Sequence, residues 1–224
     1  MLIKVDLDNS FLGRSIAGVT GHPGCYSEGR DATEAILRVP QTLIAYQQWI
    51  GKHTRQSWLE DLGDFDVRLV QALDSSDEGS TNWFESDVLP LNGVEVSRGL
   101  QVLAWSHSDL LHLVNSLSES ELERVIEGET RSIHDILAHM SKIELSVLDI
   151  PGLEEIGEVN PSGGVMERLE EARKKFSRAL PALAGVEKTW DVDRERWSGR
   201  KLLRRAAWHE RDHIQQILRI MTRF

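Results

Sequence analysis

The chain has 224 residues, 40% of them hydrophobic and 28% charged, with a formal net charge of −10. That composition suits one large or two small folded domains, and without a run of about 18 apolar residues it excludes a helical membrane span. A single cysteine, Cys25, excludes an internal disulfide, and an acidic balance argues against a nucleic-acid partner, whose phosphates need Lys and Arg.

In chain order, Leu2–Leu7 and Arg14–Val19 alternate like strands around a turn at Asn9-Ser10. The stretch from Gly21 to Gly29 is dense in turn residues. Asp31 followed by Glu34 has the spacing of a helix N-cap with an acid at the third position. The helix this opens runs toward Ile50, and Pro40 is expected to kink or break it. Phe65–Leu73 supplies a third strand, and residues 74–82 read as linker. The pattern predicts a small α+β domain over residues 1–75, with a linker at 76–93.

Residues 94–224 read as helix throughout, at about 94–117, 132–149, 164–183 and 198–222. Ser118-Glu-Ser-Glu121 and Ser132 have the look of N-terminal caps, Pro151-Gly152 of a helix stop, and Ser198 of a further start. Four amphipathic helices of that length predict an all-α four-helix bundle, so the expected fold class is an α+β N-terminal domain followed by an all-α bundle.

The histidines carry the chemistry. His209 and His213 are four apart, which puts both imidazoles on one helix face. That face continues the stripe Leu202, Ala206, Ile217 and Ile220, so two polar rings stand where apolar side chains are expected. His139 follows Ile136 by three and precedes Ile143 by four, again on the core side. A buried imidazole needs a polar partner, and one shared cation satisfies three of them. His139, His209 and His213 are therefore the expected metal ligands. His22, His53, His107, His112 and His134 read as surface or incidental. Arg200, Lys201, Arg204 and Arg205 crowd the turns before His209, within a segment (194–224) that holds nine Lys or Arg and three acids. They form either a solvated face or a positive potential that draws an anionic substrate.

Two stretches carry a resemblance: Ser132-Ile-His-Asp-Ile-Leu-Ala-His139-Met-Ser-Lys-Ile-Glu144, and Trp197 through Trp208-His209-Glu210-Arg211-Asp212-His213 to Ile217. Through them residues 90–224 resemble the DinB/YfiT-like metalloprotein superfamily, a four-helix bundle that takes one histidine from its second helix and an HxxxH pair from its last. The resemblance gives His139, His209 and His213 the same ligand roles and marks Glu144 as a commonly acidic position. Residues 1–75 are similar to HicB-like domains through Gly24-Cys25-Tyr26-Ser27-Glu28-Gly29 and Ala32-Thr-Glu-Ala35-Ile36. HicB proteins are antitoxins, but here a helical module replaces the usual DNA-binding one, and a ligand-binding, dimerising or covering role is expected.

Three neutral imidazoles leave a divalent ion (zinc, nickel or iron) at least one open position. Such an ion lowers the pKa of a bound water toward ~7 or takes up a thiol as its thiolate. Two activities follow: S-transfer from a low-molecular-weight thiol, as the resemblance implies, or hydrolysis. No protein nucleophile stands out, and Asp135, Glu210 or Asp212 are candidates to orient imidazole N–H groups. The competing reading is a non-catalytic ligand- or protein-binding module on a metal-stabilised scaffold. A small-molecule substrate is expected, with no nucleic acid and no membrane. The resemblance implies a homodimer, and the apolar-poor N-terminus and lone cysteine point to the cytoplasm.

Overall fold

The computed structural model describes residues 1–59, 61–74, 82–146, 163–192 and 195–224. They form two compact units, Met1–Leu89 with Asp193–Arg196, and Pro90–Val192 with Trp197–Phe224.

In the first unit β1 (Leu2–Asn9), β2 (Ser15–Val19), β3 (Tyr26–Gly29) and β4 (Asp66–Asp74) make one sheet in the order β3-β2-β1-β4. β1 runs antiparallel to β2, with Val5 opposite Val19, and parallel to β4, with Ile3 opposite Val67. Period-two alternation gives β1 a buried apolar face of Ile3, Val5 and Leu7. Helix α1 (Ala32–His53) covers the sheet with Ala35, Val39, Leu43, Tyr46 and Ile50, spaced three or four apart. Asp31 caps it by accepting from the Glu34 N–H at 2.8 Å, as the spacing predicts. The expected break at Pro40 does not occur. Pro40 is only half-buried and lies between the exposed Leu37 and Ile44, on a side where water can take the carbonyl that proline leaves free. Two closures hold helix to sheet: Tyr46 Oη donates to the Pro23 carbonyl at 2.7 Å, and Gly29 sits against the backbone of Asp31–Ala35.

The second unit contains α2 (Gly93–Val114), the single-turn α3 (Glu119–Leu122), α4 (Ile133–Ser146), α5 (Val165–Ala179) and α6 (Gly199–Met221). α4 packs on α5 and α6, and α2 on α6. Between them lies a core that includes Leu110, Ile133, Ile136, Leu137, Leu169, Ile217 and Ile220. Each such side chain taken fully out of water stabilises the fold by about 1.5–3 kcal/mol. Caps fix the helix starts: Asn92 with Glu95 for α2, Ser132 with Asp135 for α4, and Ser198 accepting from Lys201 N–H for α6.

An all-helical second half preceded by a small domain is not what the chain forms. β5 (Trp190–Val192) and β6 (Glu195–Trp197) pair as a two-stranded sheet just before α6. Among the described residues the molecule is α+β, with six helices, a four-stranded sheet and this two-stranded one. Strands of three residues are too short to show alternation, which is why the sequence pattern hid them. β3 was hidden differently, by the turn residues on both sides of it. The expected continuation of the second helix to 149 and its stop at Pro151-Gly152 lie outside the described residues, as does most of the linker expected at 74–82. Among the described residues no helix is long and apolar enough to cross a membrane.

Candidate metal centre

The structure brings His139, His209 and His213 together. Their ligand atoms all lie within 4.8 Å of one another. α4 supplies the first and α6 the other two, on faces whose neighbouring Ile136, Met140, Ile217 and Ile220 are buried. His209 Nε2 is 3.2 Å from His139 Nε2 and 3.1 Å from His213 Nε2.

This geometry does not work for three imidazoles alone. A ring nitrogen carries either one proton or one lone pair, so His209 Nε2 can complete a good hydrogen bond with only one of its two neighbours. The other contact sets like against like. Two imidazole nitrogens bound tetrahedrally to a zinc-sized ion stand roughly 3.3 Å apart, given the 2.0–2.1 Å bond length. The two observed separations are close to that value, and the residues present fit a divalent ion.

The protonation states fit as well. Burial first, then the neighbouring His213 and His139, depress the His209 pKa from its ordinary 6.5 to about 3. Burial, then His213, Arg131 and Lys142, also lower that of His139. Both rings therefore stay neutral, the form that binds metal. His213 Nδ1 lies 3.0 Å from Gln216 Oε1. A carbonyl oxygen only accepts, so the proton sits on Nδ1 and the Nε2 lone pair faces the other histidines.

Gln216 was not foreseen, although it is three residues from His213 on the same helix. Two of the three acids expected to orient the rings, Asp135 and Glu210, are engaged elsewhere. Asp135 accepts from Ser132 N–H and hydroxyl at 3.0 and 2.9 Å, closing the cap of α4. Glu210 turns away from the histidines toward Arg173, with Oε1 at 2.9 Å from Nη2.

That turn exposes a second group that was missed. Arg173 of α5 sits between two carboxylates, with Glu144 Oε1 at 3.2 Å from Nη1 and Glu210 on the other side. His107 of α2, expected to be incidental, is buried with Nδ1 at 3.6 Å from Glu210 Oε1. All four side chains are buried. Several of their polar atoms, among them Arg173 Nε and both Glu210 oxygens, have no aligned hydrogen bond. Two acids thus share one guanidinium. Burial raises the Glu144 pKa from 4.5 to about 7, with Arg173 opposing and Glu210 adding to the rise. The signal was present in the sequence: Arg173 falls in the buried stripe Leu169, Ala172, Phe176, and His107 in Leu103, Leu110, Val114. A polar residue on an apolar stripe is the feature that singled out the three histidines.

The remaining histidines make other contacts. His22 meets Tyr46 and His53 meets Trp49 edge to face. His112 Nδ1 is 2.7 Å from the Ser108 carbonyl, and His134 is 3.8 Å from Glu123.

Beside His209 opens a pocket of about 500 Å³, its mouth included, whose walls include Met140, Ile143, Phe176, Trp197 and Ala206. Glu144, Arg173, Arg205 and Glu210 supply its charges. Of the basic cluster before His209, only Arg205 reaches this pocket. Arg200 makes a two-pronged ion pair with Glu95, and the buried Lys201 places Nζ 4.8 Å from the Trp197 ring centroid.

No protein-family model matches this chain, and no match to it is found among curated proteins.

Proposed function

We propose that the protein is a metal-dependent enzyme whose divalent ion (zinc, nickel or iron) is held by His139, His209 and His213. The observation that carries this is the convergence of three imidazole rings with ring nitrogens at separations that hydrogen bonds among them cannot satisfy. The resemblance of residues 90–224 to DinB/YfiT-like metalloproteins supports the same reading.

Three protein ligands suit a catalytic centre, which keeps a position open, better than a closed structural one. An ion there supplies Lewis acidity and makes a coordinated water or thiol easier to deprotonate. The chain's own residues do the rest. Gln216 fixes the tautomer of His213, and Met140, Ile143, Phe176 and Trp197 line the adjoining pocket with apolar surface. Among the described residues no Ser, Thr, Cys or Lys lines that pocket. The nucleophile therefore arrives from outside, which fits S-transfer from a low-molecular-weight thiol or hydrolysis of an amide, ester or C–N bond. A thiol donor requires a reducing compartment; the buried free Cys25 agrees with the cytoplasm. The first unit takes a ligand-binding or dimerising role on its similarity to HicB-like domains.

Elemental analysis of the wild type, His139→Ala and His209→Ala tests the reading. About one equivalent of metal in the wild type, lost from both variants whose helices still form by circular dichroism, supports it. A wild type that takes up no zinc, nickel or iron overturns it. Thiol donors paired with electrophiles then separate the transferase from the hydrolase.

A further inference from the structure

Among the described residues, each of the four long helices in the second unit sends one polar side chain to a single buried cluster. His107 comes from α2, Glu144 from α4, Arg173 from α5 and Glu210 from α6. Arg173 stands in the middle. Its Nη1 lies 3.2 Å from Glu144 Oε1, and its Nη2 lies 2.9 Å from Glu210 Oε1. No more than 9% of any of these three side chains reaches the surface. Such a cluster is a costly way to fill a core. Arg173 Nε and Nη1, Glu144 Oε1 and both Glu210 oxygens lack an aligned hydrogen bond. Apolar side chains of similar volume often hold a fold as well as a buried ion pair does, or better. What the guanidinium adds is direction. Apolar packing can lose uniqueness before it loses stability, whereas a planar group with a carboxyl oxygen at each terminal nitrogen fixes where both partners stand.

The cluster ties together the two helices that carry the histidines. His209 and His213 share α6, so the helix itself sets their separation. His139 comes from α4, and its distance to the other two depends on how α4 and α6 are spaced. Glu210 follows His209 directly. Glu144 follows His139 by five residues, about 7.5 Å along the axis at 1.5 Å per residue. Arg173 thus joins α4 to α6 within two turns of a histidine on each, and it does so from a third helix. An ion's bond lengths tolerate roughly 0.2 Å, so the spacing of these two helices decides how well three imidazoles hold it.

We propose that Arg173 is a positioning residue for the metal centre: by gripping Glu144 and Glu210 together it fixes the distance between α4 and α6, and with it the coordination geometry that His139, His209 and His213 offer. The inference rests on the metal reading above and adds a residue remote from the ligands on which the tightness of the site depends.

Two variants of the full chain separate a positioning role from a structural one. Arg173→Lys keeps the charge but loses the fork. The triple variant Glu144→Leu, Arg173→Met, Glu210→Leu makes the cluster apolar and should keep the metal-free Tm at or above that of the wild type. Both are expected to bind zinc about tenfold more weakly in competition with a chromophoric chelator. Both should also change the visible ligand-field spectrum of bound cobalt(II), which reports coordination geometry. Leu169→Ala truncates a buried core side chain on the same helix; it should lower the metal-free Tm and leave both metal readouts unchanged. Wild-type zinc affinity and an unchanged cobalt spectrum in the folded triple variant would overturn the positioning role and leave the metal reading standing. A Leu169→Ala protein that weakens zinc binding as much as Arg173→Lys does would overturn it too, since any loosening of the core would then suffice. A wild type that takes up no metal sinks both readings.

Discussion

One hydrogen bond decides which nitrogen of His213 faces its neighbours. Gln216 Oε1 takes the Nδ1 proton at 3.0 Å, and the ring cannot rotate without losing that contact. Partners of this kind are typically worth 10–100-fold in metal affinity. Gln216→Ala is therefore expected to weaken zinc binding by about that factor in competition with a chromophoric chelator, and His213→Ala to reduce it far more. Equal affinities for Gln216→Ala and wild type would deny the glutamine its role. The titratable residues add a pH signature in the metal-free protein. His209 stays neutral in the fold down to about 3, whereas the unfolded chain takes up that proton below 6.5, so the fold loses stability as pH falls from 6.5 toward 3. Glu144 acts in the opposite sense. Its folded pKa is raised from 4.5 to about 7, so its contribution is fully present below 4.5 and is lost as pH rises through about 7. Metal-free Tm should fall on both sides of the mid-range, and Glu144→Gln should flatten the limb between about pH 5 and 8. A limb of unchanged slope in that variant would show that another group titrates there.

At the scale of elements, close approach is as informative as contact. A Cβ on Gly29 would lie 2.2 Å from Ala35 N and 2.7 Å from the Glu34 carbonyl carbon, both backbone atoms that cannot swing aside. Gly29→Ala should cost about 2 kcal/mol or more, read by urea unfolding, because β3 and the first turn of α1 must separate. The long elements were legible because their patterns repeat: β1 and β2 by alternation, α1 by its cap and its five-residue core stripe, and α2, α4, α5 and α6 by apolar spacing. The three clustered histidines were legible for the same reason, as interruptions of a stripe. What the pattern could not supply is which stripe faces which. Periodicity places Arg173 on the buried side of α5, but its position between Glu144 of α4 and Glu210 of α6 depends on how three helices pack. The fold class failed on three-residue strands: Trp190–Val192 and Glu195–Trp197 gain their hydrogen bonds from pairing with each other, which neither segment announces alone.

At the scale of the whole molecule, all three histidines belong to one unit, Pro90–Val192 with Trp197–Phe224. A ligand that binds only the native state stabilises it by mass action, about 4 kcal/mol at a free concentration a thousand times its Kd. Zinc is expected to raise Tm in a concentration-dependent way, and a chelator to reverse the rise; the His209→Ala variant should show neither effect.

The spacing of the histidines along the chain has a mechanical meaning. His139 and His209 are 70 residues apart yet touch, so an ion shared between them is a cross-link that ties off a loop. Stretched from its two ends, the loaded molecule would keep that loop hidden: about 240 Å of extended chain at roughly 3.4 Å per residue. The length would be released in one step when the coordination bonds rupture. The metal-free molecule has no such bond, and its resistance to pulling would come from helix packing alone. Occupancy of a site a few ångströms across would then be readable as a change in length of hundreds.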